Sequence, residues 1–173
     1  MRKNFYMAAL LLISMSCTQK ETNPLLKDFT TPHHTPPFDL IKTGDYIPAF
    51  DVSIEAAKKE IEQIASSAEA PDFQNTIVAL DAAGEKLGRV SAIFFNLNSA
   101  NTNDEMQKIA QEVSPKLTEF SNSIYMNPQL FERVKQVYEN KANLNLNPEQ
   151  TTLLEDTWKS FINGGANLEG EAK

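Results

Sequence analysis

Apolar residues recur at every third or fourth position through most of the chain after Pro48, and this period restricts the fold more than any other feature. An α-helix turns once every 3.6 residues, so such spacing gathers its apolar side chains on one stripe. Ile54, Ala57, Ile61, Ile64 and Ala68 make the first stripe, with Glu55, Lys58, Lys59, Glu60 and Glu62 opposite, up to a break at Ala70-Pro71. Phe73, Ile77, Leu80, Leu87, Val90, Phe94 and Leu97 make a second, longer one, in which Ala83 and Gly84 fill the intervening turn and permit close helix approach. A third runs through Met106, Ile109, Val113, Leu117, Phe120 and Ile124. It follows Thr102-Asn103-Asp104-Glu105, a string that matches a capping box, and Pro115 within it is expected to bend or divide the helix. Asn127-Pro128 and Asn147-Pro148 each place a capping side chain before a Pro suited to a first helical turn, with Gln150 as box partner in the second. These open two more helices, carrying Leu130, Phe131, Val134, Val137 and Tyr138, then Leu153, Leu154, Trp158, Phe161 and Ile162. Gly164-Gly165 closes the last, because Gly takes the left-handed conformation without penalty. No β alternation and no fixed-period repeat interrupts the series. The expected fold class is therefore all-α, a helical array or bundle with an extended Pro-rich N-terminal strap.

That strap holds Pro24, Pro32, Pro36, Pro37 and Pro48 of the chain's 9 prolines. Each lacks a backbone donor and drives the preceding residue out of the α region, so Thr31 to Phe38 reads as polyproline-like or β-like. Phe38, Leu40, Ile41, Tyr46 and Phe50 are its expected apolar anchors on the helices.

Upstream of the strap, Arg2 and Lys3 precede the apolar run Met7 to Ile13, the pattern of an export signal. The run is too short to cross a bilayer, which takes about 20 apolar residues. Ile13-Ser14-Met15-Ser16-Cys17 resembles a bacterial lipoprotein box, in which the Cys receives the lipid and becomes the mature N-terminus. Ser14 stands where an aliphatic residue is usual, so a conventional cut after Ser14 or Ser16 is the alternative. The chain divides accordingly into a signal peptide (1–16), a lipid-anchored tether and extended linker (17–36), and a helical region (37–173). Lipidation at Cys17 would hold the protein at a membrane face through acyl chains alone.

Charge and residue counts exclude several functions. Lys and Arg number 16 against 23 Asp and Glu, a formal −7, and losing Arg2 and Lys3 with the leader leaves 14 against 23, a formal −9. Such a balance repels phosphate backbones, so nucleic acid is not an expected partner. One Cys and 2 His cannot form a disulfide framework or a three-histidine metal site. His33 and His34 are adjacent, and neighbours in an extended segment point to opposite sides, so a surface loop is expected there. The pairs Glu60 with Glu62, Asp104 with Glu105, and Glu155 with Asp156 read as solvated faces or first-turn carboxylates, and Trp158 beside Phe161 reads as core. Asn96, Asn98, Asn101 and Asn103 mark a polar helix exit. No catalytic residue and no metal ligand is assigned, and HExxH, GxSxG, GxxxxGK[ST] and GxGxxG strings do not occur.

Several strings together resemble the N-terminal region of the zinc metallopeptidases of the thimet oligopeptidase, oligopeptidase A and peptidyl-dipeptidase family, most closely the bacterial peptidyl-dipeptidases. They are Pro37-Phe38-Asp39-Leu40-Ile41, Pro48-Ala49-Phe50, Pro71 to Leu80, Leu87-Gly88-Arg89-Val90, Phe95 to Thr102, Pro115-Lys116-Leu117 and Asn127 to Phe131, with Gly164 to Leu168 fitting the continuation. The resemblance implies a large, helical, two-lobed enzyme whose deep channel admits short unstructured peptides. It also implies a zinc cofactor held by an HExxH helix and a downstream Glu, where the two His ligate and the first Glu activates water. No position here matches that motif, so none of the family's catalytic residues is carried over. The chain is expected to be an N-terminal portion of an exported, lipid-anchored zinc peptidase that removes C-terminal dipeptides, inactive alone. A stand-alone helical lipoprotein that binds peptides or a partner is the alternative.

Overall fold

A computed structural model describes residues 23–167, so the expected leader and Cys17 lie outside the described residues. Six helices follow one another: α1 (Tyr46–Ala65), α2 (Ala79–Ala82), α3 (Glu85–Ala100), α4 (Asp104–Tyr125), α5 (Pro128–Glu139) and α6 (Pro148–Asn163). A π-helical turn, Phe73–Val78, leads into α2. Among the described residues every regular element is helical, as the 3.6 period requires.

The apolar stripe of α1 is divided between two cores. Ile54 and Ala57 join Leu87, Val90 and Phe94 of α3 and Met106, Ile109 and Val113 of α4. One turn further on, Ile61 and Ala65 join Phe73 and Ile77 of the π turn, Leu130 and Val134 of α5, and Leu154 and Phe161 of α6. The half-buried Phe120 of α4 packs against both. Edge-to-face contacts from Phe94 to Tyr46 (5.0 Å) and to Phe50 (5.5 Å) centre the first core. Full burial of one such side chain contributes about 1.5–3 kcal/mol, so these stripes hold the array together.

Asn127 and Asn147 cap α5 and α6 as expected, accepting from the N–H groups of Leu130 (3.0 Å) and Gln150 (2.9 Å), each with Pro following. At α4 the cap moves by one residue. Asn103, not Thr102, accepts from the Met106 N–H at 2.9 Å, while the Thr102 hydroxyl donates to Asn98 Oδ1. Asn caps at least as well as Thr, and from position 103 its oxygen reaches the third helical N–H. Pro115 does not divide α4, which continues to Tyr125. The carbonyl it frees belongs to Gln111, and both residues are exposed, so the acceptor is open to solvent.

The second stripe is broken, not continuous. Ala83 is extended (ψ 138°), and Gly84 takes a left-handed conformation (φ 77°) that starts α3 in a new direction. A carboxylate oxygen of Glu60, expected only to face solvent, accepts the Gly84 N–H at 2.7 Å. The close approach itself is present, since a Cβ at Gly84 would stand 3.5 Å from that of Ala57. At the end of α6 the two glycines divide their work. Gly165 is left-handed (φ 87°), whereas Gly164 is helical and lies against Tyr125, whose Cβ would be 2.6 Å from a Cβ there.

The N-terminal strap departs furthest from expectation. Its described part is a series of short 3-10 turns, Pro24–Leu26, Pro32–His34 and Thr43–Asp45, instead of one extended run. Leu25, Leu26 and Phe29, within the segment expected to be linker, are buried in the first core, with the Arg89 guanidinium 4.8 Å above the Phe29 ring. Phe38 and Leu40 are 54% and 59% exposed and anchor nothing, because the turns Phe38 N–H to Pro36 O and Leu40 N–H to Pro37 O hold them at the surface. Tyr46 and Phe50 are buried, and α1 starts before Pro48, which sits in its first turn. The helix stops at Ala65, short of Ala70-Pro71, and leaves Ala68 exposed.

Candidate functional site

Arg133 is the one buried charged side chain among the described residues. It lies on the apolar stripe of α5 with Leu130, Val134 and Val137, at the i, i+3, i+4, i+7 spacing that faces the core. One guanidinium nitrogen donates to the carbonyls of Ser67 (3.1 Å) and Glu69 (2.9 Å), the other to Asn75 Oδ1 (3.1 Å) and Thr76 Oγ1 (3.3 Å). The Asn75 oxygen also accepts from the Asp72 N–H, and the Asp72 carboxylate accepts from the Asn75 N–H, a reciprocal cap at the start of the π turn. Four acceptors and no carboxylate surround the cation, so it binds the loop after α1 and the π turn to α5. Both terminal guanidinium nitrogens are committed and only the buried Nε lacks a partner, which makes this knot a structural clasp.

His33 and His34 do not converge on a metal. Both have positive φ (59° and 54°) in a 3-10 turn, unlike the extended geometry expected, and His34 Nδ1 is bonded to the Phe29 carbonyl at 2.9 Å. Among the described residues no group of three or more His, Cys, Asp or Glu stands close enough to hold an ion. With only 2 His in the chain and one of them engaged, the donor set does not fit a zinc site. The other acidic residues are in use or at the surface: Glu155 meets Lys141 at 3.4 Å, Asp156 meets Lys159 at 3.3 Å, and Asp104 and Glu105 occupy the first turn of α4.

Trp158 is half-buried and packs against the second core, as expected. Its indole lies between the rings of Tyr138 (4.7 Å, 11° between planes) and Phe131 (5.6 Å, 13°), and Lys141 Nζ sits 4.3 Å over the Tyr138 ring. Nearby, Phe161 is buried and meets Tyr125 edge-to-face at 5.4 Å. The Tyr138 hydroxyl accepts from Lys141 Nζ, a bond that holds this ammonium above its ordinary value, with the Glu155 carboxylate adding to it.

Two apolar depressions open between elements. One, about 290 Å³, has Leu80, Phe120, Ile124, Tyr125 and Leu153 in its walls and the carboxylates of Asp81 and Asp156 among its lining groups. The other, about 390 Å³, lies between Pro36 and Phe38 of the strap and Ile93 and Leu97 of α3. These surfaces can bind apolar groups. Neither contains a nucleophile paired with a base.

Residues 51–173 match the family profile described as the neurolysin/thimet oligopeptidase N-terminal domain. The chain is 41% identical over 152 residues to a dipeptidyl carboxypeptidase of Salmonella typhimurium, covering 88% of this chain and 22% of that protein. Its Escherichia coli counterpart is 41% identical over 146 residues, 84% of this chain and 21% of the relative. Similarity to oligopeptidase A of Salmonella typhimurium is lower, 24% over 150 residues, covering 87% of this chain and 22% of the relative. The chain thus spans roughly a fifth of the length of these curated relatives.

Proposed function

The chain belongs to the neurolysin/thimet oligopeptidase family, and on that premise we propose that it forms the N-terminal helical wall of an exported zinc metallopeptidase that removes dipeptides from the carboxyl ends of short peptides. The observation that carries this reading is the 41% identity to dipeptidyl carboxypeptidases, well above the 24% to oligopeptidase A, spread over most of the chain. In this reading zinc is held by residues other than those present here, because the sequence has no HExxH string and its donors do not fit the ion. The chain contributes shape: two cores, the Arg133 clasp and the grooves between helices. Export and attachment through a lipid on Cys17 belong to the same proposal. The Arg2-Lys3 start, the short apolar run and the lone Cys support it.

The purified 173-residue chain is expected neither to retain stoichiometric zinc nor to hydrolyse short peptides. Turnover that a chelator abolishes would overturn that part of the proposal. Sequencing the gene past codon 173 tests the rest, since an in-frame HExxH downstream is expected. For the anchor, Cys17→Ala should release the protein from the membrane fraction and abolish acyl labelling.

A second reading, a stand-alone lipoprotein that binds peptides or a partner without catalysis, is favoured by one observation. Both cores are closed, with Phe50, Phe94, Leu130 and Leu154 fully buried. A genuine stop after codon 173, with a cooperative thermal transition, would select it.

A further inference from the structure

We propose that the groove bounded by α2, α4 and α6 binds an extended peptide carrying one bulky apolar side chain next to a basic one. The apolar part of the site is formed by Leu80, Phe120, Ile124, Tyr125 and Leu153, side chains from three elements that leave about 290 Å³ between them. That is the lower end of the range for ligand pockets, room for one or two side chains and not for a cofactor. The Thr157 and Ser160 hydroxyls in the wall are already committed to their own helix, donating to the Leu153 and Asp156 carbonyls. The polar groups left for a ligand are therefore the Tyr125 hydroxyl and the carboxylates of Asp81 and Asp156. Asp81 has no Lys or Arg partner among the described residues, and Asp156 has only the exposed i,i+3 contact with Lys159.

An apolar floor beside the unpaired Asp81 carboxylate and the exposed Asp156–Lys159 pair selects against acidic peptides and favours an Arg or Lys side chain, or a free amino terminus, next to Leu, Ile or Phe. The Asp81 carboxylate is carried by α2, the short helix whose direction the Gly84 break and the Glu60 bond fix, so the site is held in shape before a ligand arrives. The class of ligand, a peptide, rests on the peptidase-family reading. The apolar and acidic character of the groove does not.

The test uses the full 173-residue chain and fluorescence anisotropy with two labelled pentapeptides, one containing Phe-Arg and its counterpart containing Phe-Glu. Saturable binding of the Phe-Arg peptide, weakened by salt, is expected. Asp81→Lys with Asp156→Lys, both at exposed positions, should weaken that binding about tenfold and improve binding of the Phe-Glu peptide. Leu153→Glu, which places a charge in the apolar wall, should abolish binding of both. Equal binding of the two peptides, no binding at millimolar concentration, or indifference to the double reversal would overturn the proposal. So would a dimer, seen by sedimentation, whose formation blocks the peptide. Because binding is read without turnover, a downstream gene that lacks HExxH would remove the catalytic reading and leave this measurement standing.

Discussion

Replacing Arg133 by Ala should cost about 3 kcal/mol, a figure that emerges from two large opposing effects. The four hydrogen bonds of its guanidinium, at 2.9–3.3 Å, come from a charged donor, and each contributes about 1.5–3 kcal/mol. Against them stands the burial of a cation with no carboxylate beside it, which costs several kcal/mol. What the substitution leaves behind also matters. The carbonyls of Ser67 and Glu69 belong to partly and fully exposed residues and regain water, and the Thr76 hydroxyl keeps its bond to Asn75 Oδ1 at 2.8 Å. The loss therefore falls below the sum of four bonds, at about 2–4 kcal/mol, and corresponds to a fall in Tm of about 10 °C for a domain of this size. Arg133→Lys should recover little, because an ammonium cannot span acceptors arranged around a planar fork. Urea unfolding followed by circular dichroism gives the magnitude, and amide exchange gives the location. Asn75, Thr76 and Ile77 should lose protection before Val90 and Phe94, which belong to the other core. A loss under about 1 kcal/mol for Arg133→Ala, or full recovery by Lys, would refute the clasp.

Two further predictions concern glycines and pH. Gly88→Ala, where nothing stands within 4 Å of the added methyl on an exposed helical face, should stabilise by about 0.5–1 kcal/mol, while Gly164→Ala should destabilise by about 1–3 kcal/mol against Tyr125, both measured by thermal unfolding. Burial, with the Asp45 carboxylate adding to it, holds the Tyr46 phenol above its ordinary value; the hydrogen bond to Asp51 does the same for the Lys116 ammonium, against some desolvation. In both cases the folded state keeps its proton longer than the unfolded chain does. Their contribution is thus complete below about pH 10 and is lost as pH rises through the folded values, so stability should decline above that point, and less steeply in Tyr46→Phe.

Where a signal was local, the sequence was enough. Asn127-Pro128 and Asn147-Pro148 place caps that depend on three or four consecutive residues, and both helices begin there. Arg133 shows what local reading misses. Among the charges of α5 it passes for a solvated residue, yet its position between Leu130 and Val137 on the stripe was a signal that it faces inward. Ala83-Gly84 was ambiguous for another reason. Small residues serve both a close approach and a chain reversal, and here Gly84 does both, so periodicity alone could not separate one helix from two. In the strap, apolar character did not distinguish Phe29 from Phe38. The first lies under Arg89, a partner far along the chain, whereas the second is turned outward by the local turns at Pro36 and Pro37. Like the seat of Phe29, the groove of the proposed site was invisible because Leu80, Phe120 and Leu153 come together only once the array has formed.

The burial of Leu25, Leu26 and Phe29 limits how freely the body can move about its own N-terminal end. These three side chains are seated on the first core, and the chain is tied down as far as Asn23, whose side chain donates to the Asp45 carbonyl at 2.7 Å. Five residues lie between Cys17 and Asn23, and over those six steps a fully stretched chain covers at most about 20 Å. Whatever holds residue 17 therefore holds the helical body on a leash shorter than α4 is long, and turns a point of attachment into a restriction on which side of the protein faces it.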